Sequence, residues 1–383
     1  MYNRILAVIF FISSSLLLFS QTGNDKHPTE QEVAQRIELL NRRTPINLVY
    51  NKDVQAYIDV YTIKRPEHLA KIIGMAELYF PLFEAYLDKM GLPLELKYLA
   101  VVESALDPKA KSISGATGLW QFLYSAIRLV DLQVDSYVDE RCDPVKSTDA
   151  AARYLKYLFE NYYDWNLALA AYNGGIGTVN NAISKSGGKR DYWDIRKHIT
   201  PEMQGYVPAF IAVNYVMNYY KDYGIEPVKP IYDFDNIEIV NLDKSISFAQ
   251  LSALIQVSVE ELRFLNPVYL RDFVPVTSPP IQFIIPKEKA EVYYTKKELL
   301  KAENNPPEAL LPAFGDTRNR QKVIHTVARG EYFHRIAMNY GCRVEDIQKW
   351  NNLKSRNLMA GKQLTIWRRV ETNPYFFVCG ESE

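Results

Sequence analysis

Apolar residues recur at helical spacing from about Glu30 to Tyr223. The spacing predicts helices over Glu67 to Met90 and over Asp149 to Glu160, where Ala151, Tyr154, Leu155 and Leu158 make one stripe and Ser147 or Thr148 stands ready as the cap. After Gly224 the pattern changes. Pro227 and Pro230 interrupt it, and alternating Ile231, Ile237 and Ile239 read as a linker passing into a strand. One order of pieces then occurs twice. In the last stretch, Val323 to Val327 reads as a strand, Tyr332 to Tyr340 and Val344 to Asn351 as short helices, and Gln363 to Trp367 as a closing strand. The earlier stretch offers Phe248 to Leu254, then Val257 to Leu262 leading to Leu265-Asn266-Pro267, and a closing run Ile281 to Ile285. A repeated βααβ order predicts two small α+β modules, over 240–295 and 321–368. The segment 296–320, with Asn304-Asn305-Pro306-Pro307 and Gly315-Asp316, reads as the linker between them. The expected division is completed by a helical N-terminal extension over 21–89, a helical domain over 90–225 and a tail over 369–383.

The first twenty residues set the compartment. One positive side chain at Arg4 precedes an apolar run from Ile5 to Phe19, which has the length of a signal-peptide core and is short for a spanning helix. Residues 1–20 are therefore expected to direct export, with uncleaved retention as a membrane anchor the alternative. The chain of 383 residues is 48% hydrophobic and 23% charged, enough to bury real cores. Lys plus Arg and Asp plus Glu each count 45, which argues against a nucleic-acid partner held by overall charge. Only the last module is regionally basic, with twelve Lys or Arg against three acids between Thr317 and Arg369. That excess reads as a solvated surface or as attraction to a polyanionic matrix. Cys142, Cys342 and Cys379 lie far apart, the five histidines are scattered, and neither HExxH nor a phosphate-binding GxxxxGK[ST] occurs. No metal and no cofactor is expected.

Glu103 is the most informative residue. Leu96, Leu99 and Ala100 lie seven, four and three positions before it, so its carboxylate projects from the apolar stripe of a helix opened by Pro93. Loss of solvent without a cationic partner raises a carboxyl pKa, which keeps the acid protonated for donation near neutral pH. A buried structural glutamate bonded to backbone is the alternative. Asp107-Pro108 reads as the stop of this helix rather than as a second catalytic carboxylate. Beyond it, Ser112, Ser114, Gly115 and Gly118 form a polar, flexible stretch leading to Leu119-Trp120-Gln121-Phe122. Gln121 can donate and accept, and Trp120 offers either a flat face to a sugar or a core side chain. The helix from Trp165 to Tyr172 ends in Asn173-Gly174-Gly175, where glycine supplies a left-handed stop and holds Tyr172 at a rigid end.

Four motifs now stand in order: Glu103-Ser104, Gly118-Leu119-Trp120-Gln121-Phe122, Ala171-Tyr172-Asn173-Gly174-Gly175 and Tyr206-Val207-Pro208. In this order and spacing they resemble the lytic murein transglycosylases with a goose-lysozyme-like domain. The stretch Asp135 to Arg141 with Asp143-Pro144 is similar to the membrane-bound transglycosylase D subfamily. The 321–368 module resembles a LysM domain, although Arg329-Gly330-Glu331-Tyr332-Phe333 replaces the usual entry sequence, and 240–295 resembles the degenerate LysM-like region of that subfamily.

The resemblance implies a mainly α, lysozyme-like catalytic domain followed by small α+β modules, acting on peptidoglycan glycan strands in the periplasm or cell envelope of a bacterium. It implies that Glu103 protonates the oxygen between N-acetylmuramic acid and N-acetylglucosamine. As carboxylate, Glu103 then takes the proton of the muramic 6-hydroxyl, which attacks the anomeric carbon and leaves a 1,6-anhydro sugar. Ser112, Gln121, Tyr172, Asn173 and Tyr206 would line the same groove, with Tyr172 hydrogen-bonded to Glu103 or to the developing charge, and the LysM module would bind N-acetylglucosamine. Met203, Gln204 and Tyr124 to Ile127 depart from the subfamily pattern in groove detail. Hydrolysis by water, as in a muramidase, and a catalytically silent wall-binding scaffold remain the alternatives.

Overall fold

The structure is a computed structural model. It describes residues 27–127, 129–134, 137–275, 281–303, 317, 320–328, 331, 333–340, 342, 344–353 and 358–369. The proposed signal segment 1–20 and the tail beyond 369 lie outside the described residues. Among the described residues nine α-helices come first: α1 (Glu30–Asn41), α2 (Lys52–Asp59), α3 (Pro66–Lys89), α4 (Tyr98–Ser104), α5 (Pro144–Tyr162), α6 (Trp165–Gly174), α7 (Ile176–Lys185), α8 (Tyr192–Ile195) and α9 (Pro201–Tyr219). They are followed by β1 (Ile237–Leu242), β2 (Ile246–Ser247), α10 (Phe248–Ile255), α11 (Val259–Leu265), β3 (Phe273–Val274), β4 (Ile281–Pro286) and α12 (Ala290–Lys296). The last unit is β5 (Arg320–Thr326), α13 (Phe333–Asn339), α14 (Val344–Trp350) and β6 (Gln363–Arg369).

The helical domain is built around α9, which is buried on nearly every side from Tyr206 to Val216. A helix apolar all round belongs at the centre of a core. One hydrophobic cluster runs from Val33 through Phe83, Leu99 and Leu167 to Val216. Within the expected extension over 21–89, α1, α2 and α3 share the core that holds α4 and α9. Local start signals also differ from expectation. Asp143, followed by Pro144 at the first helical position, caps α5 by accepting from Val145 N (2.8 Å) and Lys146 N (3.0 Å). Ser147 and Thr148 lie inside the helix instead, their hydroxyls donating back to the carbonyls of Asp143 and Pro144.

Each C-terminal module carries its own core. In the first, β1 pairs antiparallel with β4 and β2 with β3. In the second, β5 pairs antiparallel with β6 from Arg320 opposite Arg369 to Thr326 opposite Gln363. The two modules share one device. The Asn266 amide donates to Leu262 O and Ile284 O and accepts from Ile284 N, while the Asn351 amide donates to Ile347 O and Thr365 O and accepts from Thr365 N. An asparagine at the end of the second helix thus ties helix to closing strand in both. The segment expected as a linker from 296 begins with packed residues: Leu300 is buried in the first module's core, and Glu303 N donates to Ser245 O at 2.8 Å. Among the described residues no helix is long and apolar enough to cross a membrane.

Candidate active site

Glu103 is the sixth residue of α4, a helix of seven that follows a 3-10 turn over Leu94–Lys97. Leu96, Leu99 and Ala100 are fully buried, which pins the stripe that carries it. The helix does not continue to Asp107-Pro108. It ends at Ser104, because Ala105 (φ 52°) and Leu106 (φ 63°) turn left-handed without the help of a glycine. The Ser104 hydroxyl helps hold this end, shared between the carbonyls of Ala100 and Leu119 at 2.9 Å each. Asp107 is exposed, and its carboxylate accepts from Lys109 N.

The Glu103 side chain is half-buried by surface area yet closely surrounded by protein. Burial pushes its carboxyl up to about 7; the Tyr206 hydroxyl, donating to Glu103 Oε1, pulls downward, and the charge of Glu202 adds to the rise. Glu202 precedes Tyr206 by one helical turn on α9, a spacing that would have marked it as a neighbour of any residue Tyr206 touches. Burial, together with the Glu103 charge, raises the phenols of Tyr206 and Tyr172 well above their ordinary value, so both stay hydrogen-bond donors across the accessible pH range.

The expected hydrogen bond from Tyr172 to Glu103 is not formed. Tyr172, on α6, donates instead to the carbonyl of Trp120 at 2.7 Å, and Tyr206 occupies the carboxylate. Tyr206 is held in turn by the proline two positions on. Pro208 has no N–H for Gln204 O, four residues back, and that carbonyl accepts from Tyr192 Oη (2.9 Å) and Arg196 Nε (2.8 Å). The Tyr-Val-Pro motif thus locks α9 to the α8 corner. The stop after α6 also differs from expectation: Gly175 has φ 81° but an extended ψ of 151° and leads straight into α7.

Of the remaining sequence-predicted residues, Ser112 and Gln121 lie on a tight loop and Asn173 on α6. Gln121, at φ 50°, donates through its side-chain amide to Ala110 O (3.1 Å) and Gly118 O (2.9 Å), which leaves its carbonyl oxygen as the group to offer a ligand. Ser112 accepts from Ala116 N and shares a hydrogen bond with Ser114. Asn173 is half-buried, one residue after Tyr172. Trp120 is a core side chain, not a sugar platform: its ring packs 5.0 Å from Phe83 and its indole N–H donates to Thr148. Spacing alone misses Arg141, buried and charged, which binds the carbonyls of Gly115 and Phe122 at the two ends of this loop. Its signal was the Asp139-Glu140-Arg141 run itself, since charges that close to a helix start need a reason to be there.

Replacing Tyr206 by Phe removes the donor that favours ionised Glu103. The alkaline limb of the pH profile should therefore move upward, with kcat lowered about tenfold at the optimum through a lost charge-assisted bond. Rate against pH for the two proteins checks this; an unmoved limb would detach Tyr206 from Glu103.

A mainly helical, lysozyme-like domain with a closely surrounded, protonatable carboxylic acid at Glu103, followed by two βααβ-type modules, defines the class. The Transglycosylase SLT domain family matches residues 81–195, the LysM-like domain of lytic transglycosylase MltD matches 236–302, and the LysM domain matches 325–367. The chain is 30% identical over 309 residues to membrane-bound lytic murein transglycosylase D of Escherichia coli strain K12, covering 79% of this chain and 66% of that protein. It is 27% identical over 161 residues to the soluble lytic murein transglycosylase of the same strain, covering 40% of this chain and 25% of that one. The crystal structure of the 70 kDa soluble lytic transglycosylase from E. coli aligns at 24% identity and a TM-score of 0.35, over 51% of this chain and 32% of that chain. The chain belongs to the lytic murein transglycosylases built on the SLT domain.

Proposed function

We propose that the chain is a peptidoglycan lytic transglycosylase that cleaves the β-1,4 bond between N-acetylmuramic acid and N-acetylglucosamine and leaves 1,6-anhydro-N-acetylmuramic acid. The observation that carries this reading is Glu103: one carboxylic acid whose pKa near 7 lets it give a proton and take one back within a turnover. Its proton goes to the glycosidic oxygen as the bond to the anomeric carbon breaks. The resulting carboxylate removes the proton of the muramic 6-hydroxyl, whose oxygen bonds to that carbon. Donor and acceptor are restored, and no water is consumed. This needs one carboxylate, whereas hydrolytic glycosidases place two across the bond.

In this reading Gln121, Ser112 and Asn173 meet the glycan, Tyr206 supports the carboxylate, and Tyr172 fixes the Trp120 carbonyl and with it the Gln121 loop. The working division is export segment 1–20, helical extension 21–89, catalytic domain 90–225, LysM-like module 240–295 and LysM module 321–368, the last binding N-acetylglucosamine in the glycan and raising local enzyme concentration on an insoluble polymer. A bacterial envelope location is in keeping with the substrate and with the relative's name as a membrane-bound murein transglycosylase.

Digestion of purified peptidoglycan with the full chain should release muropeptides ending in anhydro sugar, each lighter by one water than a hydrolytic product, as read by mass spectrometry. Reducing-end products would make the protein a muramidase, and no release would make it a wall-binding scaffold.

A further inference from the structure

Arg141 is buried and charged, and such a group persists only when its donors are matched. Its Nε and Nη2 fork onto the two oxygens of Asp139 (2.9 and 2.7 Å), and Nη1 donates to Gly115 O and Phe122 O at 3.1 Å each. Those carbonyls stand at either end of the loop that carries Gln121. The backbone of Arg141 touches the same loop, since its carbonyl oxygen lies 1.8 Å from where a Cβ on Gly118 would be. The other flank of this short segment belongs to the first C-terminal module. Asp139 N donates to Val268 O (2.9 Å), Leu270 N donates to Tyr137 O (2.8 Å), and Tyr137 packs 5.4 Å from Phe273. Residues 137–141 therefore form one piece between module and loop. A cavity of about 370 Å³, lined by Asp107, Lys109, Arg263 and Phe264 among others, opens elsewhere along the junction.

We propose that Arg141 is a positioning residue for glycan cleavage, and that the module beginning at β1 holds it in place, so that this module shapes the active site rather than serving only to bind wall. The inference rests on the transglycosylase reading. The Arg141 fork sets the two ends of the loop, the loop sets Gln121, and the module keeps 137–141 from yielding. Lysine cannot replace this geometry, because an ammonium group is a point donor and not a planar fork.

The test is steady-state kinetics of the full chain on soluble, uncrosslinked glycan strands. Arg141→Lys should lower kcat/KM on the order of ten- to a hundredfold, mainly through a raised KM, with the alkaline pH limb unmoved because Glu103 and Tyr206 stand on α4 and α9. Simple loss of folded protein would instead lower kcat at constant KM. Adding Arg141→Lys to Gln121→Ala should cost little more than Gln121→Ala alone. Tyr137→Ala, which loosens the module's contact, should raise KM in the same direction. If Arg141→Lys does not fold, Tyr137→Ala carries the test by itself. An unchanged KM in the folded variants, or independent multiplication of the Gln121 and Arg141 effects, would overturn the proposal. Absence of product from the wild-type chain would defeat the transglycosylase reading instead.

Discussion

Glu103→Gln should lose turnover by at least about a thousandfold while keeping its binding to isolated sacculi. The amide matches the size of the carboxylic acid and its half-buried seat, so the substitution removes proton transfer without opening a cavity. A second consequence separates a buried acid from an ordinary side chain. The carboxyl pKa is raised by folding from its ordinary 4.5 to about 7, so the unfolded chain ionises first as pH rises. The folded state is then penalised progressively between those values, by roughly 3 kcal/mol at most above pH 7, and by nothing below both. Glutamine never ionises. The variant should therefore melt several degrees above the wild type at pH 8, and the gap should close by pH 4. Thermal melts across pH read this directly, and a gap independent of pH would mean that Glu103 is not desolvated. Activity carries the same signature, falling in the wild type as pH rises through about 7 and the acid form is lost.

Gly118→Ala should be the most damaging small substitution in the catalytic domain. Gly118 has φ 90°, a conformation L residues rarely adopt, and a Cβ there would lie 1.8 Å from the carbonyl oxygen of Arg141 and 2.6 Å from its carbon. Those are backbone atoms and cannot rotate away. Either the loop from Gly115 to Phe122 or the segment at 141 must move, and both are joined to the buried Arg141 fork. A loss of stability of about 3 to 5 kcal/mol is expected, with little activity in whatever folds. Gly177→Ala is the contrast: this glycine lies in α7, and beyond its chain neighbours and its own helix backbone nothing lies within 4 Å of the added methyl, so substitution should be neutral or stabilise by up to about 1 kcal/mol. Denaturant melts of the two variants test the pair together. Equal effects would contradict the packing at Gly118.

Spacing made the buried seat of Glu103 legible, because an apolar stripe is a local pattern. It did not make the end of α4 legible: Ala105 and Leu106 take left-handed dihedrals under the hold of Ser104 on Leu119, a tie across the chain that no neighbouring residue announces. Both tyrosines could be named from their motifs, yet which hydroxyl reaches the carboxylate depends on how α6 and α9 pack. The role of Pro208 was hidden for a related reason, since its effect is a freed carbonyl four residues earlier. The shared core of α1 to α3 with the catalytic helices rests on contacts between distant segments. Leu299-Leu300 stands among charged residues that read as a linker, and the seat of Leu300 in the first module's core depends on packing. The pairing of Arg141 with Asp139 is local, but the Gly115 and Phe122 carbonyls that its Nη1 reaches are set by a loop distant in sequence.

The asparagines at 266 and 351 bear on how such a chain diversifies. A pair of strands is marginal alone, and in each module one side-chain amide imitates the peptide group of an absent neighbour, offering the closing strand both a donor and an acceptor. The architecture is thus closed from inside by a single residue, and the exterior is released from any duty to fold. One copy has spent that freedom on fitting against the catalytic domain, through Val268, Tyr269 and Leu270. The other carries an excess of lysine and arginine in its sequence. One small plan thus serves as a bracket in one module and carries a basic excess in the other.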